Sequence, residues 1–328
     1  MIEIDGSHGE GGGQILRTAV ALSAVTGNPV NIKKIRQGRP RPGLAPQHAE
    51  AILAMTKICG GRIQGATSGS SEITFEPSEI RGGSHRVDIG TAGSVTLLMQ
   101  CLLPAMLKAQ SPVSLQVQGG TDVQWAPTVD YFQNVFLPAL MCFGAKADLD
   151  ISQRGYYPKG QGSVHLQIEP CDLHPCHLKP QSSALRGISH SSNLPLHVAQ
   201  RQADSALEIL MDAGFEGEIG AESLSSPSTG SGISLWSGWK GASAIGERGL
   251  PAEKVGKRAA QELVLELSSG KAVDVHLADQ LIPYIALVGG SYTTREISRH
   301  TMTNIWTAKH FLKREIHVER DNLNIKAD

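Results

Sequence analysis

The chain has 328 residues, of which 40% are hydrophobic and 19% charged, with a formal net charge of −1. That composition belongs to a folded globular protein rather than a disordered one, and the length allows two compact units or one large domain. A net charge near zero excludes a whole-molecule positive field as the means of attracting nucleic acid, so any such contact must be a local patch. The five cysteines, Cys59, Cys101, Cys142, Cys171 and Cys176, are odd in number, and the first three lie in apolar runs. They read as core thiols in a reducing compartment. Glu3, Asp5 and Glu10 interrupt any leader pattern, and no charge-free apolar stretch reaches membrane-spanning length. A cytoplasmic protein without a membrane partner is expected.

In chain order, a strand is predicted at Ile2–Ile4, then the glycine-rich turn Gly9–Gly13 and an apolar helix from about Gln14 to Val25. A strand near Val30–Ile35, an Arg/Pro-rich loop and a helix from about Pro46 to Ile58 follow, with strands around Arg62 and at Ile73–Phe75. The same order returns. Arg86–Ile89 reads as a strand, Gly90–Ser94 opens a helix to about Leu107, and Val113–Val117 is a strand before the loop Gly119–Asp122. A helix from about Pro127 to Met141 and strands at Ala145–Ile151 and Val164–Ile168 complete it. Cys171, His174, Cys176 and His177 have metal-ligand chemistry, but a structural zinc site takes two separated ligand pairs, so the stretch reads as a loop.

Between about Ser182 and Ser268 lies material with its own signals: helices at His197–Met211 and Pro251–Leu267, and a Ser/Gly/Pro loop at Ser225–Gly232. It reads as a small domain set into a surface connection. Beyond it, His276–Val288 reads as helix, Tyr292–Ile297 as strand and Thr301–Leu312 as helix, with closing strands at Glu315–Glu319 and Leu323–Ile325. Three βαβαββ-like units of about eighty residues are too long for solenoid repeats and suggest one domain built by triplication.

Polar residues collect at equivalent places in the three units. The first holds Arg36, Arg39, Arg41, Gln47 and His48, the second Gly119–Asp122 with Trp125 and Pro127, the third Arg299, His300, Thr303 and Asn304. If the units are alike, three loops converge on one cleft. The run from Lys33 to Arg41 is either a solvated loop or a phosphate reader, since guanidinium groups bind phosphate bidentately. The Gly9–Gly13 turn before a helix suits an anion, although it lacks the Gly-Lys-Ser/Thr of a P-loop. Glu10 within it is a helix-start acid or a ligand for a divalent metal. His85, His165, His190, His197, His310 and His317 read as surface or strand residues without a role, and Trp236 and Trp239 as small-domain core or base-stacking groups.

Several motifs together resemble one family. They are Asp5-Gly6-Ser7-His8-Gly9-Glu10-Gly11-Gly12-Gly13-Gln14-Ile15-Leu16-Arg17, Ile35-Arg36 to Gly43-Leu44 with Gln47-His48, and Gly90 to Ser94. Then come Gly119-Gly120-Thr121-Asp122, Gly155-Tyr156-Tyr157-Pro158-Lys159-Gly160, Leu277-Ala278-Asp279-Gln280, and His300 with Thr303-Asn304. In this order, over nearly the whole chain, they are similar to the RNA 3′-terminal phosphate cyclases. The resemblance implies an α+β (α/β sandwich) fold: a large domain of three βαβαββ repeats, like the C-terminal domain of a translation initiation factor, over residues 1–181 and 269–328. A smaller α/β domain, 182–268, would be inserted in the third repeat.

The resemblance also implies an activity, the ATP-dependent conversion of an RNA 3′-terminal phosphate to a 2′,3′-cyclic phosphate with a divalent metal, Mg or Mn. AMP would be carried covalently by a histidine and then by the RNA end. His300 matches the nucleophile, Glu10 the metal-site acid, and Arg17, Arg36 and Arg39 phosphate-contacting arginines. Gln47, His48 and Gln100 match active-site polar residues, Asp279 an essential carboxylate beside Gln280, and Pro127 a residue packing on adenine. His276 stands where bacterial relatives often carry Tyr facing the base, and an imidazole can still stack there. Two other readings make different demands. A cyclase-like RNA-binding protein of ribosome assembly would lack the nucleophilic histidine, and an enolpyruvyl transferase on a related repeat fold would bind small anions without covalent nucleotide.

Overall fold

Glycines and prolines punctuate the first quarter of the chain. β1 (Ile2–Asp5) leads through the glycine turn to α1 (Gly13–Thr26), which Gly27 stops in the left-handed conformation (φ +72°) with its N–H on the Ser23 carbonyl. After β2 (Val30–Lys33) and the arginine loop, α2 (Pro46–Cys59) starts with Pro46 in its first turn. β3 (Arg62–Gln64) and β4 (Ile73–Glu76) complete a sheet of order β1-β2-β4-β3, with β1 parallel to β2 and the other pairs antiparallel. In this computed structural model the described residues are 1–321 and 323–328.

β5 (Gly83–Asp88), α3 (Val95–Met106) and β6 (Val113–Gly119) follow, with the Ser94 hydroxyl capping α3 by accepting from the Leu97 N–H. The helix expected from Pro127 begins at Val129, behind the Thr128 cap. It runs as α4 (Val129–Tyr131), a π-helical stretch (Phe132–Phe136) and α5 (Leu137–Met141). Pro138 has no N–H for the helical ladder, and the π-helical turn before it takes up the misfit. β7 (Lys146–Gln153) and β8 (Gly162–Glu169) give a second sheet, β5-β6-β8-β7, with the same sequence of parallel and antiparallel pairs as the first.

The stretch around Cys171 and His174 is a loop that ends in the short strand β9 (Cys176–His177). Then come β10 (Leu185–Ser192), α6 (Leu196–Asp212), β11 (Gly217–Leu224), β12 (Gly230–Ser237), β13 (Lys240–Ile245) and α7 (Ala252–Ser268). They form a separate sheet, β11-β10-β12-β13, with α6 and α7 packed on each other and an apolar cluster of their own around Leu210, Ile233, Leu235 and Leu263. β12 starts at Gly230, inside the expected Ser225–Gly232 loop. His190, expected at the surface or in a strand, sits in β10 and is fully buried.

The expected helix His276–Val288 is two pieces, α8 (Val275–Gln280) and α9 (Ile282–Val288), the second with Pro283 in its first turn. β14 (Gly290–Thr293) starts two residues before the expected Tyr292–Ile297 and ends four residues before that span does, since Arg295 leaves the sheet for the carboxylates of Glu262 and Glu266, each 2.8 Å away. α10 (Arg299–Lys309), β15 (Ile316–Glu319) and β16 (Asn324–Ala327) end the chain. β9 pairs parallel to β14, and β16 and β15 add antiparallel, the order of the first two sheets once more. A second, larger apolar cluster joins these sheets with α1, α2, α3, α9 and α10. No helix among the described residues is long and apolar enough to cross a membrane.

Candidate active site

Two glycines explain how close the polar loops come. Gly9 (φ +59°) would place a Cβ 2.5 Å from the Thr303 hydroxyl, and Gly13 one 2.1 Å from His48 Nε2. Any side chain at either position would push α10 or α2 away from the turn. The turn itself is held by the Gly6 N–H on the Lys33 carbonyl (2.8 Å) and by the Gly11 N–H on that of His8 (2.9 Å). α10 opens on the Ser298 cap, which accepts from the Thr301 N–H at 3.0 Å and puts His300 in the first turn.

His300 lies between two partners. Its Nε2 is 3.0 Å from Glu10 Oε2, and its Nδ1 is 2.6 Å from Gln14 Oε1. Arg39 Nη2 approaches the same Glu10 oxygen at 3.7 Å. Burial lowers the imidazole's pKa, Glu10 opposes this, and Arg17, Arg39 and His276 lower it further. The ring is therefore biased toward the neutral form, in which one N–H faces two acceptors.

Behind it, Arg17 Nη1 is 3.4 Å from His48 Nε2, and burial lowers the pKa of this arginine. His48 is buried with Nδ1 unpartnered, and burial, then Arg17 and Arg36, hold its pKa at about 3, so it is neutral. Gln47 Oε1 accepts from the Ser94 N–H at 3.1 Å, joining the first unit's loop to the second's. Arg36, with φ +52°, donates to the Gly43 carbonyl at 3.0 Å. The Ser94 hydroxyl meets that of Thr96 at 2.8 Å, and Thr96 donates to the Pro127 carbonyl at 2.8 Å.

The third unit adds Asp279, whose pKa burial pushes up to about 7 against the pull of His276 and Arg17. Its carbonyl accepts from Asn304 Nδ2 at 2.9 Å, and Asn304 Oδ1 accepts from Thr18 at 2.7 Å. Gln100 Nε2 donates to Gln280 Oε1 at 2.8 Å. His276 is exposed and electrostatically coupled to both His300 and Asp279. The structure thus brings Glu10, Arg17, Arg39, Gln47, His48, His276, Asp279 and His300 into one connected region. Arg36 lies beside Arg39 and His48, Gln100 and Gln280 meet as a pair, and Pro127 is linked to the rest through Thr96 and Ser94. Sequence reasoning passed over Gln14 as a partner of His300; its signal was its place as the second residue of α1, directly after the glycine turn that carries Glu10.

A second polar cluster joins Asp122 and Tyr156, both within motifs, and His190 to Asp130, Arg154 and Glu222, which the sequence did not single out. Arg154 donates to both oxygens of Asp130 (2.8 and 3.0 Å) and to Asp122 (3.3 Å), and lies 3.1 Å from Glu222. His190 Nε2 is 3.5 Å from Asp122, and its Nδ1 is 2.7 Å from the Tyr156 hydroxyl. Burial acts to raise the pKa of Asp122, yet His190 and Arg154 hold it below the usual carboxylate range. Asp122, Asp130 and His190 have the ligand types and spacing for a metal ion, but both carboxylates already bond the Arg154 guanidinium, so the cation here is supplied by the chain.

A mixed α+β protein with a histidine between a carboxylate and an amide, and with arginines and a near-neutral acid around it, has the parts of a site for nucleophilic chemistry at phosphorus. Sequence comparison supplies the family. The sequence model of RNA 3'-terminal phosphate cyclase matches residues 8–318. Proteins called RNA 3'-terminal phosphate cyclase are 53% identical in Methanosarcina barkeri (98% of this chain, 97% of that one) and 52% identical in Archaeoglobus fulgidus (99% and 100%). A third, from Methanosarcina mazei, is 51% identical over 95% of each chain. The chain belongs to the RNA 3′-terminal phosphate cyclases, a family of enzymes. The enolpyruvyl transferase NikO from Streptomyces tendae superposes with a TM-score of 0.30 and 12% identity over 99% of this chain and 65% of that one, too slight a likeness to bear on fold or chemistry.

Proposed function

We propose that the chain converts an RNA 3′-terminal phosphate to a 2′,3′-cyclic phosphate using ATP, with AMP carried in turn on His300 and on the RNA end. The observation that supports this most directly is the pairing of His300 Nδ1 with Gln14 at 2.6 Å, with Nε2 facing Glu10, whose same oxygen Arg39 approaches. A ring proton on Nδ1, where Gln14 Oε1 can accept it, would leave the Nε2 lone pair for attack.

Nε2 attacks the α-phosphorus of ATP, and the bond to pyrophosphate breaks. An oxygen of the RNA 3′-phosphate then attacks the same phosphorus, the P–N bond breaks, and the imidazole returns to neutrality. The 2′-hydroxyl closes on the activated 3′-phosphorus, its proton leaves, and AMP departs with the bonding pair. Activation replaces expulsion of an oxide by expulsion of AMP, and the 2′-hydroxyl is already adjacent to its target. Arg17, Arg36 and Arg39 would hold phosphoryl oxygens through developing charge. Neutral His48 and Gln47 offer hydrogen bonds without adding a charge. Asp279, titrating near neutrality, can take or release a proton in the working range. Pro127 and His276 are assigned to the faces of adenine.

A divalent metal, Mg or Mn, fits Glu10, because such ions are commonly held by one or two carboxylates with substrate phosphates completing the shell. When bound it would neutralise charge on the phosphoryl oxygens. ATP and RNA ends as substrates suit a cytoplasmic protein. The shared strand order of three sheets supports the reading of three βαβαββ repeats over 1–181 and 269–328, with 182–268 as an inserted domain.

The test is incubation with α-labelled ATP and metal. Label should stay on the protein, released by acid but not by alkali, as from a phosphoramidate. His300→Ala should keep the fold and lose all label; persistent labelling of that variant would remove His300 from the mechanism.

A further inference from the structure

Two of the motifs, Gly119–Asp122 and Gly155–Gly160, have no part in the chemistry above, yet they lie side by side. Asp122 bridges Tyr156 as in a parallel ladder, and the Thr121 N–H donates to the Gly155 carbonyl at 2.8 Å. Each loop projects an aromatic ring into solvent. Trp125, three residues past Asp122, is 97% exposed, and Tyr157, next to Tyr156, is 78% exposed. Trp125 also has φ +66°, a conformation costly for a bulky residue, and gains no packing in return.

The loops that carry these rings are firmly anchored. Asp122 is buried in the Arg154 cluster, Gln124 donates to Glu247 at 2.9 Å, and Thr128 caps the helix that follows. On the other loop, the Gly160 N–H closes on the Tyr156 carbonyl at 2.7 Å. Rigid backbone with free rings is the construction of a stacking platform, where little order remains to be imposed on binding. Lys159 is exposed two residues after Tyr157 and adds a cation to the same loop.

The platform adjoins the site. A Cβ on Gly160 would lie 2.8 Å from Ala92, and one on Gly93 would lie 2.8 Å from the Gln47 side chain, so Gly155–Gly160, Gly90–Ser94 and Gln47 are in direct succession. From the other loop, Pro127 reaches Gln47 through Thr96 and Ser94.

We propose that Trp125 and Tyr157, with Lys159, form a platform on which bases upstream of the RNA's terminal nucleotide stack. This rests on the reading of the chain as an RNA 3′-phosphate cyclase. The terminal phosphate belongs with the arginines, so a strand leaving that pocket must cross a rim. Aromatic rings beside a cation bind single-stranded nucleic acid without reading its sequence, because every base has a π-face. A rim of this kind would let the enzyme accept ends of varied sequence while holding more than one nucleotide.

The experiment is equilibrium binding to the full-length protein without ATP, measured by anisotropy of a 5′-fluorescein single-stranded octanucleotide RNA with a 3′-phosphate. Trp125→Ala/Tyr157→Ala should raise Kd by about 10-fold or more, while Trp125→Phe/Tyr157→Phe stays within about 3-fold of wild type. A mononucleoside 3′-phosphate, used as competitor, should lose less than about 3-fold in affinity for the alanine variant. Unchanged octanucleotide Kd in the alanine variant overturns the platform. So does an equal loss for the mononucleotide or for ATP, which would place the rings on the terminal base or on adenine. Because no step here needs catalysis, a wild-type protein that binds RNA but takes no label from ATP would sink the adenylylation reading and leave the platform standing.

Discussion

At the scale of single residues the site turns on how few protons the histidine has and who accepts them. A neutral His300 has one N–H and two candidate acceptors, Gln14 at Nδ1 and Glu10 at Nε2. In the proposed mechanism, attack through Nε2 requires the proton on Nδ1, which would make Gln14 a positioning residue whose useful atom is its carbonyl oxygen. Gln14→Glu keeps an acceptor there, and Gln14→Met keeps the shape without one. Protein–AMP formation measured by single-turnover labelling should fall about 30-fold or more in the methionine variant and about 10-fold or less in the glutamate variant, on the scale of lost orientation. The reverse order, Met tolerated and Glu not, would reduce Gln14 to a packing residue.

Asp279 makes a second prediction at this scale. Its pKa rises from the ordinary carboxylate range to about 7 in the folded protein, first through burial. The folded state therefore binds this proton more tightly than the unfolded chain, and the associated stability is present below about pH 4 and lost as pH rises through 7. Asp279→Asn carries no such titration. Its melting temperature relative to wild type should climb by about 2 °C or more between pH 5 and pH 8. A difference that stays flat across that range would show that Asp279 is not strained by burial.

At the scale of elements, periodicity and punctuation made most of the fold readable. α1 and α2 stand within a residue or two of their expected bounds because Gly27, Gly60 and Pro46 mark their ends in the sequence. The misses have local causes that a one-dimensional pattern does not carry. The Val129–Met141 run carries only Asp130, Gln133 and Asn134 as polar residues, and their spacing does not announce the π-helical stretch ahead of Pro138. Arg295 and Glu296 look compatible with a strand until Glu262 and Glu266 arrive from α7 to claim the arginine. Site residues divide in the same way. Glu10, Arg17 and His48 stood out through their motifs, whereas Gln14 is a common helix residue whose role exists only once α10 crosses the turn. Trp125 was visible in the sequence, but its exposure was not, since a tryptophan between Gln124 and Pro127 is as often buried as presented.

For the whole molecule the decisive feature is how the sheet β11-β10-β12-β13, with α6 and α7, is joined to the remainder. Their own apolar cluster accounts for their fold, but it does not fix their placement. The Arg154 cluster spans the join: Asp122, Asp130, Arg154 and Tyr156 come from one side, His190 and Glu222 from the other. Surface pairs such as Arg201–Glu253 join α6 to α7 and are screened by water, so they contribute little to this placement. The buried cluster differs because its members cannot return to solvent when one is removed. Arg154→Met leaves Asp122 and Asp130 without their guanidinium partner and with only His190 beside them, a change that costs about 3–5 kcal/mol in comparable buried pairs. The melting temperature should fall steeply. Adding Asp122→Asn and Asp130→Asn to Arg154→Met should recover most of the loss, because the uncompensated charge is then gone. Hydrogen exchange should show β10 and β11 losing protection in the single variant before β1 and β2 do, since it is the join that has been weakened. Uniform loss of protection across all four strands would mean that the cluster stabilises the entire chain rather than seating one part of it against the other.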